Sequence, residues 1–104
     1  MRSIITDDKE DMCHYCGRVG SMHKHHIFGA ANRKWSEKYG LFVHLCPYHH
    51  NMSDEGIHFN KEMRESYQRL GQQCFELWYA IEHIASASEA REEFMRIFGR
   101  NYLD

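Results

Sequence analysis

The sequence predicts a small α+β domain: two short strands and a short helix around a metal, followed by two longer helices. Three observations predict it. Cys13-x-x-Cys16 and Cys46-x-x-His49 both have the spacing of metal ligands. Two short runs, residues 23–28 and 41–45, read as strands, the second with its β-branched and aromatic Phe42 and Val43. Beyond Asn60, apolar residues recur at steps of three and four, the period of an amphipathic helix. A chain of 104 residues suits one domain. A domain this small buries a limited share of its surface, so a bound metal would help it fold.

In chain order, residues 1–11 are polar and acidic and are expected as a flexible lead-in. Cys13, Cys16 and Gly17 form a zinc knuckle by type, the glycine freeing the backbone to turn. The first strand follows, with Ile27 and Phe28 as its apolar residues. Residues 29–32 are loop-like, and residues 33–39 form a polar, helical insert. Gly40 opens the second strand, which Cys46-Pro47 ends. Pro47 suits the first turn of a short helix carrying Tyr48, His49, His50 and Asn51. Residues 13–52 thus make a metal-stapled ββα core. Residues 53–59 are a polar connector with Gly56 and His58. Residues 60–103 are the helical extension, completing a single domain over 1–104.

Asn60 is a good N-cap for the long helix. Met63, Tyr67, Leu70, Cys74, Leu77, Trp78, Ile81 and Ile84 form its apolar stripe over about six turns, with Cys74 expected in the core. Ser86 or Ser88 caps the last helix, Phe94, Ile97 and Phe98 line its apolar side, and Gly99 stands where a helix ends. Phe75, Phe94 and Trp78 are expected to pack inward.

No apolar run approaches the length needed to cross a bilayer, so no membrane role is expected. The polar N-terminus does not read as a secretory leader. Reduced cysteines are then expected, and paired spacings read as ligands rather than disulfides. The net charge of −2 hides an asymmetry. Residues 13–50 hold five basic side chains and one acidic one, Glu37, whereas residues 51–104 hold six basic and ten acidic. Basic charge gathered around the Cys/His clusters suits a phosphate-bearing partner. With a sequence pI near 6.5, tight nonspecific duplex binding is not expected.

Cys13, Cys16 and Cys46 with one imidazole make a closed tetrahedral set for structural zinc. The fourth ligand is His49 or His50. His25 and His26 stand outside this set. Adjacent residues on a strand point to opposite faces, so one of the two can bind a second metal while its neighbour reaches for a water. An imidazole near its ordinary pKa is a suitable general base for that water. His14, His23, His44 and His83 receive no role.

His25-His26-Ile27 and Leu45-Cys46-Pro47-Tyr48-His49-His50, behind the Cys13/Cys16 knuckle, resemble the HNH endonucleases of the His-Me finger superfamily, in their zinc-stapled branch. The whole chain is also similar to small phage-encoded HNH proteins with an HHIFG-type stretch and an FGRNYL-like end. The resemblance covers residues 13–50 and implies a hydrolase that cuts DNA. It implies His26 as general base, and His25 and His50 as ligands of one catalytic Mg²⁺, Mn²⁺ or other divalent ion. It assigns Cys13, Cys16, Cys46 and His49 to the structural zinc.

The family's central Asn is missing from its usual place, which reads Lys38-Tyr39-Gly40-Leu41. Asn32 is the best substitute for orienting the base. His58 or Asn51 can complete the metal shell, and Arg33, Lys34 and Lys38 can contact phosphates. The resemblance implies a cytoplasmic setting, in a bacterium or a phage-infected host cell. The sequence leaves open whether a protein partner or a second copy joins. The rival reading is a zinc-stabilised module that binds nucleic acid or protein without cutting it.

Overall fold

The computed structural model describes residues 1–52 and 56–104. Among them it forms an α+β fold with one two-stranded antiparallel sheet and four α-helices. Strand β1 (His23–His26) pairs with β2 (Phe42–Leu45), His23 opposite Leu45 and His26 opposite Phe42. Between the strands lie a 3-10 turn, Ala30–Asn32, and helix α1 (Arg33–Tyr39). Helix α2 (Pro47–His50) follows β2 directly, with proline in its first turn as expected. The succession strand, strand, short helix is therefore present.

Helix α3 (Lys61–His83) starts where Asn60 accepts from the Met63 N–H at 3.0 Å. It stops at Ile84, which takes a left-handed backbone with φ of 50°. Helix α4 (Ala87–Phe98) is capped by Ser86, not Ser88. The Ser86 hydroxyl accepts from the Glu89 N–H, and the Glu89 carboxylate accepts from the Ser86 N–H, both at 3.0 Å. Gly99 closes it with φ of 80°. No helix is long and apolar enough to cross a membrane among the described residues.

The lead-in is not loose. Ile5 is buried, the Ile4 N–H donates to the Gly40 carbonyl at 2.9 Å, and the Ser3 hydroxyl donates to the Phe42 carbonyl at 2.5 Å. Asp8 accepts from the His44 N–H at 2.8 Å and pairs with the His44 ring at 2.6 Å. These bonds tie the N-terminus along the free edge of β2. Gly40 makes the approach feasible: its φ is 69°, and a Cβ there would run into the Arg2 carbonyl.

The core gathers Phe28, Leu41, Val43, Leu45, Ile57, Phe75 and Phe94, all essentially without exposure. Phe28 is its hub, with ring centroids 5.4 Å from Phe94, 4.8 Å from Phe98 and 5.1 Å from Tyr102. The stripe of α3 departs from expectation. Its buried face runs Met63, Tyr67, Gly71, Gln72, Phe75, while Leu77 and Ile81 are about two-thirds exposed (65% and 68%) and Ile84 is 96% exposed. The 23-residue helix spans roughly 34 Å, close to the molecule's 38 Å long axis, so its last turns outrun the core. Cys74, expected in the core, is half-buried.

Of the connector, residues 53–55 lie outside the described residues. Beyond them it is not wholly polar. Ile57 is fully buried and its N–H donates to the His49 carbonyl at 2.7 Å; the His58 N–H donates to the His50 carbonyl at 3.3 Å. Those bonds set His58 beside α2.

Candidate metal centres and the adjoining cleft

Cys13, Cys16, Cys46 and His49 each place a ligand atom within 4.8 Å of the others. The local backbone explains the convergence. Gly17, with φ of 81°, turns the chain so that its N–H reaches the Cys13 carbonyl at 2.8 Å, and the Cys13 N–H reaches the Arg18 carbonyl at 2.8 Å. Cys46 leaves β2 with an extended backbone and caps α2, its carbonyl accepting from the N–H groups of His49 (3.1 Å) and His50 (3.0 Å). The Sγ atoms of Cys16 and Cys46 lie 3.8 Å apart, and Cys46 Sγ lies 3.3 Å from His49 Nδ1. Two thiolates about 2.3 Å from one tetrahedral ion stand roughly 3.8 Å apart, so the donors fit a metal such as zinc without rearrangement. Burial pushes the Cys13 thiol up, but backbone N–H groups of Cys46, Cys16 and Tyr15 favour the thiolate and its net pKa is lowered. The alternative left open by the sequence resolves in geometry: His49 joins this set, and His50 faces elsewhere.

A second set joins His25, His50 and His58, whose ring nitrogens also converge within 4.8 Å. His50 Nε2 lies 3.0 Å from His58 Nε2, and His50 Nδ1 lies 3.0 Å from Nδ1 of His23, a residue expected to have no role. Two nitrogens at this separation can both reach one ion at about 2.1 Å. Burial, then the neighbouring imidazoles, pushes His25 down to about 3; burial, then His58 and His23, pushes His50 down to about 4. Both rings are neutral at neutral pH and keep a lone pair for a ligand bond.

Beside this set lies a cleft of about 290 Å³, lined by His25, His26, His50, His58, Lys24 and Arg33, with Gly29 and Ala30. It adjoins an open groove of about 650 Å³ where Arg33 and Lys34 meet His26, Lys24 and Glu37. Lys38 does not line either. Its ammonium lies over the rings of Trp35 (5.6 Å) and Tyr39 (5.3 Å).

Asn32 is not placed to orient His26. Its side-chain amide donates to the Phe98 carbonyl at 3.1 Å, fastening the 3-10 turn to the end of α4. The partner of His26 is Glu37, with Oε2 2.7 Å from Nε2. Sequence reasoning passed over Glu37, although it is the lone carboxylate in residues 13–50. Two other histidines are structural: His14 bonds Tyr67 and the Thr6 carbonyl, both at 2.8 Å, and His44 holds Asp8. His83 lies against Tyr79, ring centroids 4.3 Å apart.

Comparison of the chain with family models, with curated proteins and with solved structures finds no match. The chain's distinguishing features are the two donor sets and the basic cleft between β1, α1 and α2.

Proposed function

We propose that this chain is a metal-dependent endonuclease of the HNH type, hydrolysing DNA phosphodiester bonds. The observation that carries the proposal is the single cleft shared by an unligated histidine (His26), three convergent imidazoles (His25, His50, His58) and two cations (Lys24, Arg33). Hydrolysis of a phosphodiester needs a base for the water, a cation for the charge on phosphate and leaving oxygen, and groups that position the anion. The cleft has a candidate for each.

In this reading Cys13, Cys16, Cys46 and His49 hold a structural zinc, which fixes the turn between β2 and α2. His25, His50 and His58 hold the catalytic ion, which when bound supplies positive charge to the scissile phosphate and leaving oxygen. Among the described residues that set has no carboxylate. Imidazoles suit Mn²⁺, Co²⁺, Ni²⁺ or Zn²⁺ better than Mg²⁺, so of the two ions expected from the resemblance Mn²⁺ fits better. His26 takes the proton from the attacking water. Arg33, Lys24 and Lys34 hold phosphate oxygens, a guanidinium being well shaped for two of them at once.

A second reading, a module that grips nucleic acid without cutting it, is favoured by the engagement of Asn32 with Phe98. Supercoiled plasmid with Mn²⁺, Co²⁺ or Mg²⁺, beside His26→Ala, separates the two. The nuclease reading expects nicked or linear product from the wild type and a loss of about 10²–10⁴-fold in the variant. Equal rates from both proteins would remove it. DNA retention without cleavage by either would favour the module.

A further inference from the structure

We propose that Glu37 is a positioning residue for His26, fixing which ring nitrogen is free to act as base; the inference rests on the nuclease reading. Glu37 projects from α1 across the end of β1, and its Oε2 lies 2.7 Å from His26 Nε2. A carboxylate at this distance accepts the Nε2–H and so selects one tautomer. The lone pair then resides on Nδ1, which has no protein partner among the described residues. Lys24 completes the arrangement, with Nζ 3.1 Å and 3.4 Å from the two Glu37 oxygens. It turns the carboxylate toward His26 and keeps it ionised. The hydrogen bond from His26, then that from Lys24, holds the Glu37 carboxyl below its ordinary pKa. The Phe42 ring, with its centroid 6.1 Å from the imidazole, borders the other side.

The arrangement answers a gap in the sequence. The place where the family keeps its Asn is empty, and Asn32 is committed to Phe98. Among the described residues, Glu37 is the side chain hydrogen-bonded to the base. The logic parallels the carboxylate that orients histidine in a hydrolase triad, where a wrong tautomer costs activity while the fold survives. Glu37 is half-exposed, and an exposed ion pair adds little to stability, so its removal leaves the fold intact.

The test uses zinc-loaded full chain, ¹⁵N-labelled at histidine, with the His26 signals assigned by their loss in His26→Ala. Long-range ¹H–¹⁵N correlation in the wild type is expected to show His26 protonated at Nε2. Glu37→Ala is expected to give mixed tautomers. Glu37→Gln, whose side-chain oxygen still accepts from Nε2–H, is expected to restore the wild-type pattern. In plasmid cleavage with Mn²⁺, Glu37→Ala is expected to lower kcat about 10–100-fold, less than loss of the base itself. KM should stay level or fall, because deleting a carboxylate from a basic groove does not weaken DNA binding. Glu37→Gln should recover kcat to within a few fold. An unchanged tautomer or an unchanged kcat in Glu37→Ala would overturn the proposal, as would failure of Glu37→Gln to rescue. If the wild type cuts no DNA, the nuclease reading fails, and the spectra still decide whether Glu37 holds the ring.

Discussion

The Sγ atoms of Cys16 and Cys46, 30 positions apart in the chain, lie 3.8 Å apart in space. Backbone bonds bring them there: the His14 N–H donates to the His44 carbonyl at 2.9 Å, and the Gly17 N–H curls the knuckle back onto the Cys13 carbonyl at 2.8 Å. The separation is that of two sulfur ligands on one tetrahedral ion. Purified protein should therefore carry about one tightly held zinc per chain. Structural zinc contributes on the order of 10–16 kcal/mol in small domains, comparable to a whole domain's net stability. Cys46→Ser should lose the metal and unfold, read by metal analysis and far-UV circular dichroism. Cys74→Ser should keep the metal. Full zinc content in Cys46→Ser would sink the assignment.

Acid should destabilise the metal-free second site. His25 and His50 have folded pKa values of about 3 and about 4, below the ordinary 6.5. Between those values the unfolded chain binds more protons than the folded one. Stability is thus retained above pH 6.5 and lost as pH falls toward 4. For the buried His25 the loss by pH 5 is on the order of 2 kcal/mol. Thermal melts between pH 7.5 and 5 should show a shallower slope for His25→Gln. Equal slopes would contradict the burial described for His25.

Helix α3 enters the core through the fully buried Phe75, not through the C-terminal part of its stripe. Phe75→Ala should cost about 3–5 kcal/mol in urea denaturation. Leu77→Ala, on the exposed side of the same helix, should change stability by less than about 0.5 kcal/mol. The reverse ranking would mean that α3 packs through the face read from its period.

The N-terminal segment should matter to stability. Asp8 satisfies both the backbone N–H and the ring of His44. Asp8→Ala leaves those donors without their acceptor and should cost about 1–3 kcal/mol. A chemical denaturation midpoint equal to wild type would show the segment to be dispensable.

The ligand spacings, the strand pair, the short helix after Pro47 and the Asn60 and Gly99 boundaries were legible because each is set by local chemistry. Packing was less so. The true buried row of α3 passes through Gly71 and Gln72, which no apolar period counts. Gly71 is there because a Cβ would press on Ile27 and Phe28 at 3.1 Å. Gln72 is fully buried because its amide bonds Glu76 (2.7 Å) and Asn101 (2.9 Å) and its oxygen accepts from the Tyr102 N–H at 2.7 Å. The anchoring of the lead-in is invisible in its polar composition, because it rests on backbone bonds, the Ser3 hydroxyl, Asp8 and one buried apolar residue, Ile5. In the candidate site, Cys13, Cys16, Cys46 and His49 could be paired from spacing. The bond from Glu37 to His26 depends on how α1 folds back on β1, which no short motif encodes.

One four-residue helix, α2, carries both His49 and His50, and they belong to opposite donor sets. On the reading proposed above, occupancy of the two sets therefore has an order. The turn that aims His50 begins at Cys46, whose carbonyl accepts from the His50 N–H at 3.0 Å, so an ion on the thiolates would firm the imidazole set as well. A mild chelator would empty the imidazole site reversibly. One strong enough to strip sulfur ligands would dismantle both, and recovery would then follow the thiolate site's reloading rate rather than the concentration of the second ion.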